Sequence, residues 1–509
     1  MLKSISKTLL LASTLSLTLA AHASALSLEP ISSYEAKVFD EGAAEVLSYD
    51  KAGKKLYVVN GNDKTIDILD IANPAEIRKA GAIDVKKHGK GANSVAVHGD
   101  YVAIAVEMKN KQADGKLALY KTDGSFVGEA TVGALPDNVV FAPNGAYAVV
   151  ANEGEPSGDY KTDPEGTVSI VAIPSLEVKT ISFASLDAKA LGDSFHTPSP
   201  EGTSIAQDVE PEYVAISADS KTIFVSLQEN NAIAVIDADK AALKTVFALG
   251  FQDYSKELVD LSDKDGAINR KNWPVLSMRQ PDTIASFTKD GMAYVVTANE
   301  GDARDYDGYS EETRLGKVKL DEKAFPNAAE LQDKKNLGRL KITTAKGDVD
   351  GDGDFDAIYG YGGRSFSIFN EKGEMVFDSG TEIEAKMAEL APTAFNSQGA
   401  NESFDNRSDD KGTEPEALAL GSIGDKLYAF IGLERMGGVV VYDITDPANA
   451  SYVTYANNVK LDGEAEKMTA GDIAPEGIVF ISAKDSPHGK PMIAVANEVS
   501  GSTTLYEVK

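Results

Sequence analysis

A unit recurs along this 509-residue chain, and a recurring unit limits the possible folds more than composition does. It reads proline or a small residue, an acid, a strand, a Gly-centred turn, a second strand and a closing acid. Clear copies run from Pro136-Asp137 to Glu153, Pro211-Glu212 to Glu229, Pro281-Asp282 to Glu300, Pro415-Glu416 to Glu434 and Pro475-Glu476 to Glu498. Weaker copies run from Glu45 to about Asn62 and from Asn93 to Glu107, which makes seven. A third alternating strand follows in each, as in "TIDILDI" (65–71), "NAIAVIDA" (231–238) and "GVVVYDI" (438–444), and then a fourth. "DIANPA" (70–75) and "DITDPA" (443–448) fall at the same point of two units and support that register.

Period-two alternation between Gly, Asn and Asp turns predicts short antiparallel strands. Four strands in about 40–45 residues is the spacing of a propeller blade. The expected fold is therefore all-β, a seven-bladed β-propeller of four-stranded antiparallel blades in one domain. The last unit supplies only three strands before Lys509, so an N-terminal strand, "EAKVFD" (35–40), is expected to complete the last blade and remove an open edge. In the fifth unit, "RSFSIFN" (364–370) and "EMVFDSG" (374–380) best match the third and fourth strands. Residues 301–363 then form an insertion. Further long connections, 185–210, 251–280 and 381–414, are of a length usually reserved for function.

Lys3 and Lys7 precede an apolar stretch from Leu9 to Ala20, and small residues suited to cleavage follow at 21–25. This is the pattern of an export signal, so residues 1–25 are read as a signal peptide and 26–509 as the mature domain. No segment reaches the roughly 20 continuous apolar residues that a transmembrane helix needs. A periplasmic or extracellular location follows. With no cysteine, the exported chain must rely on its core and on bound metal rather than on disulfides. The formal charge of −29 argues against nucleic acid as a partner and favours cations. A monomer is expected.

The most specific local motif is "GDVDGDGDFDAIYGYG" (347–362). Asp348, Asp350 and Asp352 alternate, Gly353 allows a sharp turn, and Asp354 and Asp356 add further carboxylates. Closely spaced aspartates in a turning loop supply the oxygens that Ca²⁺ requires. An EF-hand would carry an acid at the twelfth position, where Tyr359 stands; the pattern instead resembles the calcium loops of integrin-type propeller repeats.

The acids of the repeat form the second constellation. In a blade, the start of the first strand and the end of the second lie on one face. Glu45, Asp137, Glu212, Asp282, Glu416 and Glu476 should therefore ring the axis, with Glu107, Glu153, Glu229, Glu300, Glu434 and Glu498 beside them. Two carboxylates about 4 Å apart repel by about 4 kcal/mol at an effective dielectric of 20. Protons, metal ions or basic side chains must intervene. Glu153, Glu229, Glu300, Glu434 and Glu498 are candidate ligands of a second divalent metal. Five histidines without zinc spacing, and neither G-x-S-x-G nor a P-loop, make a zinc enzyme or a serine hydrolase a poor match.

"LPDNVVFAPNGAYAVVANEGEP" (135–156), "NRKNWPV" (269–275), "ANEGDARDY" (298–306), "YGGRSFSIF" (361–369), "FDNRSDDKGTEPEAL" (404–418) and "GLERMGGVVVYDITDP" (432–447) together resemble the choice-of-anchor I family. The resemblance implies an exported β-propeller, related to mesenchyme-specific cell-surface glycoproteins. Some bacterial members of that family go under the name alkaline phosphatase. The sequence reaches Lys509 right after its last strand without a sorting segment, so the surface attachment that the resemblance implies is in doubt. Two function classes stay open. One is a calcium-binding surface or binding protein with an acidic mouth for cations or a surface ligand. The other is a metal-dependent phosphoric ester hydrolase acting on a phosphorylated small molecule. There, Glu153, Glu300, Glu434 and Glu498 would hold metal, and Arg304, Arg364, Arg407 and Lys411 would clamp the phosphate.

Overall fold

The computed structural model describes residues 26–399 and 403–509. The proposed signal, 1–25, and the sequon at Asn401 lie outside the described residues. Among those described are seven four-stranded antiparallel sheets, the first built from Leu47–Asp50, Lys55–Asn60, Thr65–Asp70 and Arg78–Asp84 in spatial order. The others open with the strands Gly91–His98, Pro136–Phe141, Pro211–Ile216, Ile284–Lys289, Pro415–Ile423 and Pro475–Ile481. These first strands pack side by side in chain order, and the last lies against the first. That is a β-propeller arrangement.

Packing explains the strand sequences. Second and third strands carry near-continuous apolar runs because both faces are covered, as in Tyr147–Asn152 and Ala232–Asp237. Fourth strands are polar because their outer edges meet solvent; in Arg78–Asp84 only Ile83 is buried. Separate apolar clusters fill the wedges between neighbouring sheets. Tyr57, Val59 and Ile66 meet Val102, Ile104 and Val106 between the first and second, while Val58 and Leu69 meet Ala494 and Leu505 between the first and last.

The last sheet is completed by an N-terminal strand, as expected, but the segment differs. Leu28–Glu35 pairs antiparallel with Ser502–Val508, from Leu28 opposite Val508 to Glu35 opposite Ser502. "EAKVFD" contributes only its first residue to that strand. The residues beyond it cross the sheet end, where Asp40 N–H donates to Val499 O at 2.8 Å. The alternation of Leu28, Ile31 and Tyr34 is looser than that of "EAKVFD", and its pairing depends on a strand almost 500 residues away.

Ser365–Asn370 and Met375–Asp378 are the third and fourth strands of the fifth sheet, so residues 301–363 do protrude from it. They do not stand alone. Leu276–Met278 pairs with both Phe251–Asp253 and Tyr359–Gly360, joining the 251–280 connection to the insertion. Tyr254, Val259, Leu261, Trp273, Leu315, Phe325, Leu337 and Ile358 give this module its own core. In the 381–414 connection, the helix Glu382–Leu390 lays Ile383 and Met387 into the wedge between the fifth and sixth sheets.

Candidate functional site

The first strands carry their acids at an irregularity. Register shifts fall between Pro136 and Asn138, Pro211 and Val214, Pro415 and Leu418, and Pro475 and Gly477. Asp137, Glu212, Glu416 and Glu476 are therefore bulged residues. A bulge re-aims a side chain that would otherwise alternate into a wedge between sheets. Ahead of several of these strands, Leu135, Gln280, Glu414 and Ala474 hold left-handed backbone with φ of 45°, 47°, 50° and 62°. Each also precedes a proline, which disfavours helical backbone at that residue. Their carbonyls accept the N–H groups at the ends of the second strands: Glu153 to Leu135 at 2.9 Å, Glu434 to Glu414 at 2.8 Å and Glu498 to Ala474 at 2.7 Å.

The asparagine of each Asn-Glu ending is a tie, not a ligand. Asn299 Nδ2 donates to Ser365 Oγ and Ser367 Oγ, both at 2.8 Å, and Asn152 Nδ2 donates to Ser169 Oγ at 3.0 Å. Each locks the second strand to the third and leaves the following glutamate to turn inward.

A cavity of about 440 Å³ lies where these ends converge. Its lining includes Glu45, Glu107, Asp137, Glu153, Glu155, Glu212, Asp282, Glu300, Asp302 and Glu476, against only Lys90 and Lys111. Lys90 pairs with Glu107 at 3.0 Å and Lys111 with Glu155 at 3.1 Å. Burial, followed by repulsion from Glu498, Asp137 and Glu107, pushes Glu45 up to about 8. Burial and the Glu155 charge push Asp137 up to about 7. Glu153, Glu212, Asp282, Glu416 and Glu476 are raised well above the carboxylate range, by burial first and then by the charge of neighbouring acids, Glu155, Glu229, Glu300, Glu434 and Glu498 respectively. Buried oxygens of Glu107, Glu212, Glu229 and Glu416 accept no hydrogen bond from any described donor.

Of the five expected ring glutamates, Glu153 and Glu300 line this cavity. Glu434 lies beside it, grouped with Glu300 and Glu414. Glu229 is buried next to the lining residue Gln228, and Glu498 is half-buried near Glu45. Glu414 escaped the sequence reading, although "TEP" places an acid directly before the repeat proline. It is fully buried and receives Arg407 at 2.7 Å, Arg435 at 3.4 Å and Lys411 at 3.5 Å. Lys411 also pairs with Glu300, and Arg435 with Glu434 at 2.9 Å.

Arg304 and Arg364 are sealed inside the protein. Arg304 pairs with Glu210 and donates to Asp208 O at 2.8 Å. Arg364 reaches Glu384 at 3.1 Å and the carbonyls of Asp260, Ser408 and Asp410 at 2.7–2.8 Å. Arg304 ties the insertion to the 185–210 connection, and Arg364 ties the 251–280 and 381–414 connections to the fifth sheet.

In the 348–356 loop, carboxylate oxygens of Asp348, Asp350 and Asp356 lie within 4.8 Å of one another. Asp354 instead groups with Asp356 and Asp321, a residue outside the motif, and pairs with Lys319 at 2.5 Å. Asp352 belongs to neither group; its Oδ1 accepts the Asp354 N–H at 3.1 Å. Asp348 folds the turn by accepting the N–H groups of Gly351 and Gly353 at 2.8 and 3.0 Å. The repulsion of Asp352, ahead of that of Asp356, raises Asp350 above its usual range.

The sequence profile of the Choice-of-anchor I domain matches residues 45–447. Gigasin-3a of Magallana gigas is 32% identical over 186 residues, covering 34% of this chain and 65% of that protein. The mesenchyme-specific cell surface glycoprotein of Strongylocentrotus purpuratus is 25% identical over 299 residues, covering 52% of this chain and 37% of that protein. The chain thus spans less than two thirds of either relative's length. Among solved structures, the β-propeller domain of Myceliophteria thermophila Cps50 (Swd1) aligns with a TM-score of 0.46 and 9% identity, over 95% of this chain and 100% of that one. The profile match spans well over half of the residues, and the chain belongs to the choice-of-anchor I family.

Proposed function

We propose that this protein is an exported, surface-associated propeller of seven blades that binds divalent cations at an acidic central mouth and Ca²⁺ in the 348–356 loop. One observation carries the reading: ten acidic residues line a single cavity with two lysines, and buried carboxylate oxygens there have no donor. Such a concentration of like charge favours whatever cation can enter. The donors are oxygens throughout, which selects calcium, magnesium or manganese over softer metals. The relative named a cell surface glycoprotein supports a surface role, and the charged, small-residue-flanked N-terminus supports export. No helix among the described residues is long and apolar enough to cross a membrane.

The phosphoric ester hydrolase reading has less support. Arg304 and Arg364 are buried and already paired with Glu210 and Glu384, and Arg407 and Lys411 already satisfy Glu414 and Glu300.

The test is direct. Chelator-treated protein is titrated with Ca²⁺ by calorimetry and melted with and without it, and a phosphomonoester and a phosphodiester are assayed in parallel. Binding should stabilise the fold by about 2.7 kcal/mol at a hundredfold excess over Kd. Asp350→Asn with Asp352→Asn should remove the loop's share of that gain while the mouth still binds. No heat of binding and no change in Tm would reject the cation reading; metal-dependent turnover would favour the hydrolase.

A further inference from the structure

We propose that Asp282, Glu300 and Glu416 form a discrete site for one oxygen-seeking divalent cation, of the calcium or manganese class, at the inner edge of the fifth and sixth sheets. This rests on the cation-binding reading above and gives it one location. Carboxylate oxygens of the three residues lie within 4.8 Å of one another. A Ca²⁺ ion about 2.3–2.6 Å from each oxygen spans that separation, and the adjoining cavity leaves room for water to complete six to eight ligands.

Glu416 supplies an independent pointer. It is only 6% exposed, and its Oε2 accepts no hydrogen bond from any described donor. A buried carboxylate oxygen left without a donor or a cation is costly. Among the described residues, no lysine or arginine forms an ion pair with Asp282 or Glu416. Asp282 and Glu476 both come within hydrogen-bonding reach of Glu416, so without an ion these carboxyls must share protons. Glu434, Glu300 and Asp137 press on the same groups from neighbouring strands.

The adjacent group makes the contrast. Glu300, Glu414 and Glu434 also converge, but Lys411, Arg407 and Arg435 lie on their carboxylates. That cluster is balanced by the protein's own cations. Glu300 faces both clusters: Lys411 holds its Oε1, and Gln228 Nε2 donates to its Oε2 at 2.9 Å, fixing the carboxylate plane. Three carboxylates and the one lysine leave two negative charges, which a divalent ion neutralises. The absence of His and Cys from the set excludes selection for a soft metal.

The test uses the full mature chain carrying Asp350→Asn and Asp352→Asn, so that the loop does not contribute, after chelator treatment. Titration with Ca²⁺ and with Mn²⁺ should show one ion fewer per chain in Glu416→Gln, and likewise in Asp282→Asn, with near-native circular dichroism. If the parent chain binds ions and both variants keep its stoichiometry, this site is wrong while the cation-binding mouth survives. If the parent chain binds none, both fall. Crystals of the unsubstituted protein grown with Mn²⁺ decide the matter even if a variant fails to fold. An anomalous peak between Asp282 and Glu416 is expected, and a data set with no such peak overturns the proposal.

Discussion

Arg304 belongs to a buried polar network. Its partner Glu210 is fully buried, and Glu311 accepts its backbone N–H at 3.1 Å while Glu311 Oε2 meets His196 Nε2 at 2.8 Å. The network joins the insertion to the 185–210 connection. Removing one member of a buried ion pair leaves the other charge uncompensated, which costs about 3–5 kcal/mol. Arg304→Ala should lower stability by that amount in chemical denaturation, and a loss below about 1 kcal/mol would show that the pair carries little. Sequence reasoning placed Arg304 at the mouth because it follows Glu300 closely. The chain turns at Gly301, which has a φ of +102° and whose Cβ position would sit 2.3 Å from Gly362 N, so no side chain fits there. After the turn, Arg304 reaches Glu210 and the Asp208 carbonyl of the 185–210 connection, which occupy its guanidinium.

At the scale of single elements, the repeat was legible because each strand buries a predictable face. The closing strand was not. Leu28–Glu35 is mostly exposed or half-buried, so its composition hardly marks it, whereas the strand it covers, Ser502–Val508, is buried throughout. A chain begun at Ala36 keeps most of "EAKVFD" but loses the real closure. It should aggregate, or unfold with a loss of a few kcal/mol against a total of about 5–15 kcal/mol, because an unpaired edge is left on the last sheet. Size-exclusion chromatography and thermal melts of that truncation check this; a soluble chain with unchanged Tm contradicts it. In sequence, the 251–280 and 301–363 segments likewise look like separate loops. Their apolar residues, Trp273 and Leu315 among them, show no periodicity that reveals a shared core.

For the whole molecule, the converging acids tie stability to pH and to cations. Glu45 and Glu434 are raised to about 8 and Asp137 to about 7 in the folded state, chiefly by burial. A carboxyl with a raised folded value binds more protons folded than unfolded, so its contribution falls as pH climbs from the ordinary carboxylate range through the folded value. Metal-free protein should therefore lose Tm steadily up to about pH 8, and added Ca²⁺ should restore it by replacing the lost protons. Melts across that window in chelator and in Ca²⁺ measure both effects. A Tm that holds level or rises with pH in chelator contradicts the account.

By itself, the sequence determined the sheet architecture, its seven repeats and the residue types at each strand end, because alternation and turn chemistry are local. It also marked the aspartate loop, whose carboxylates stand close together in the chain, though not the contacts that Lys319 and Asp321 make with it. Only the tertiary structure decided which acids meet. Bulges at Asp137, Glu212, Glu416 and Glu476 aim those side chains inward. Lysine and arginine from the 381–414 connection and from Arg435 then neutralise one cluster and leave its neighbour bare. Charge balance in a buried cavity depends on distances of a few ångströms between residues more than a hundred positions apart, and no local pattern carries that information.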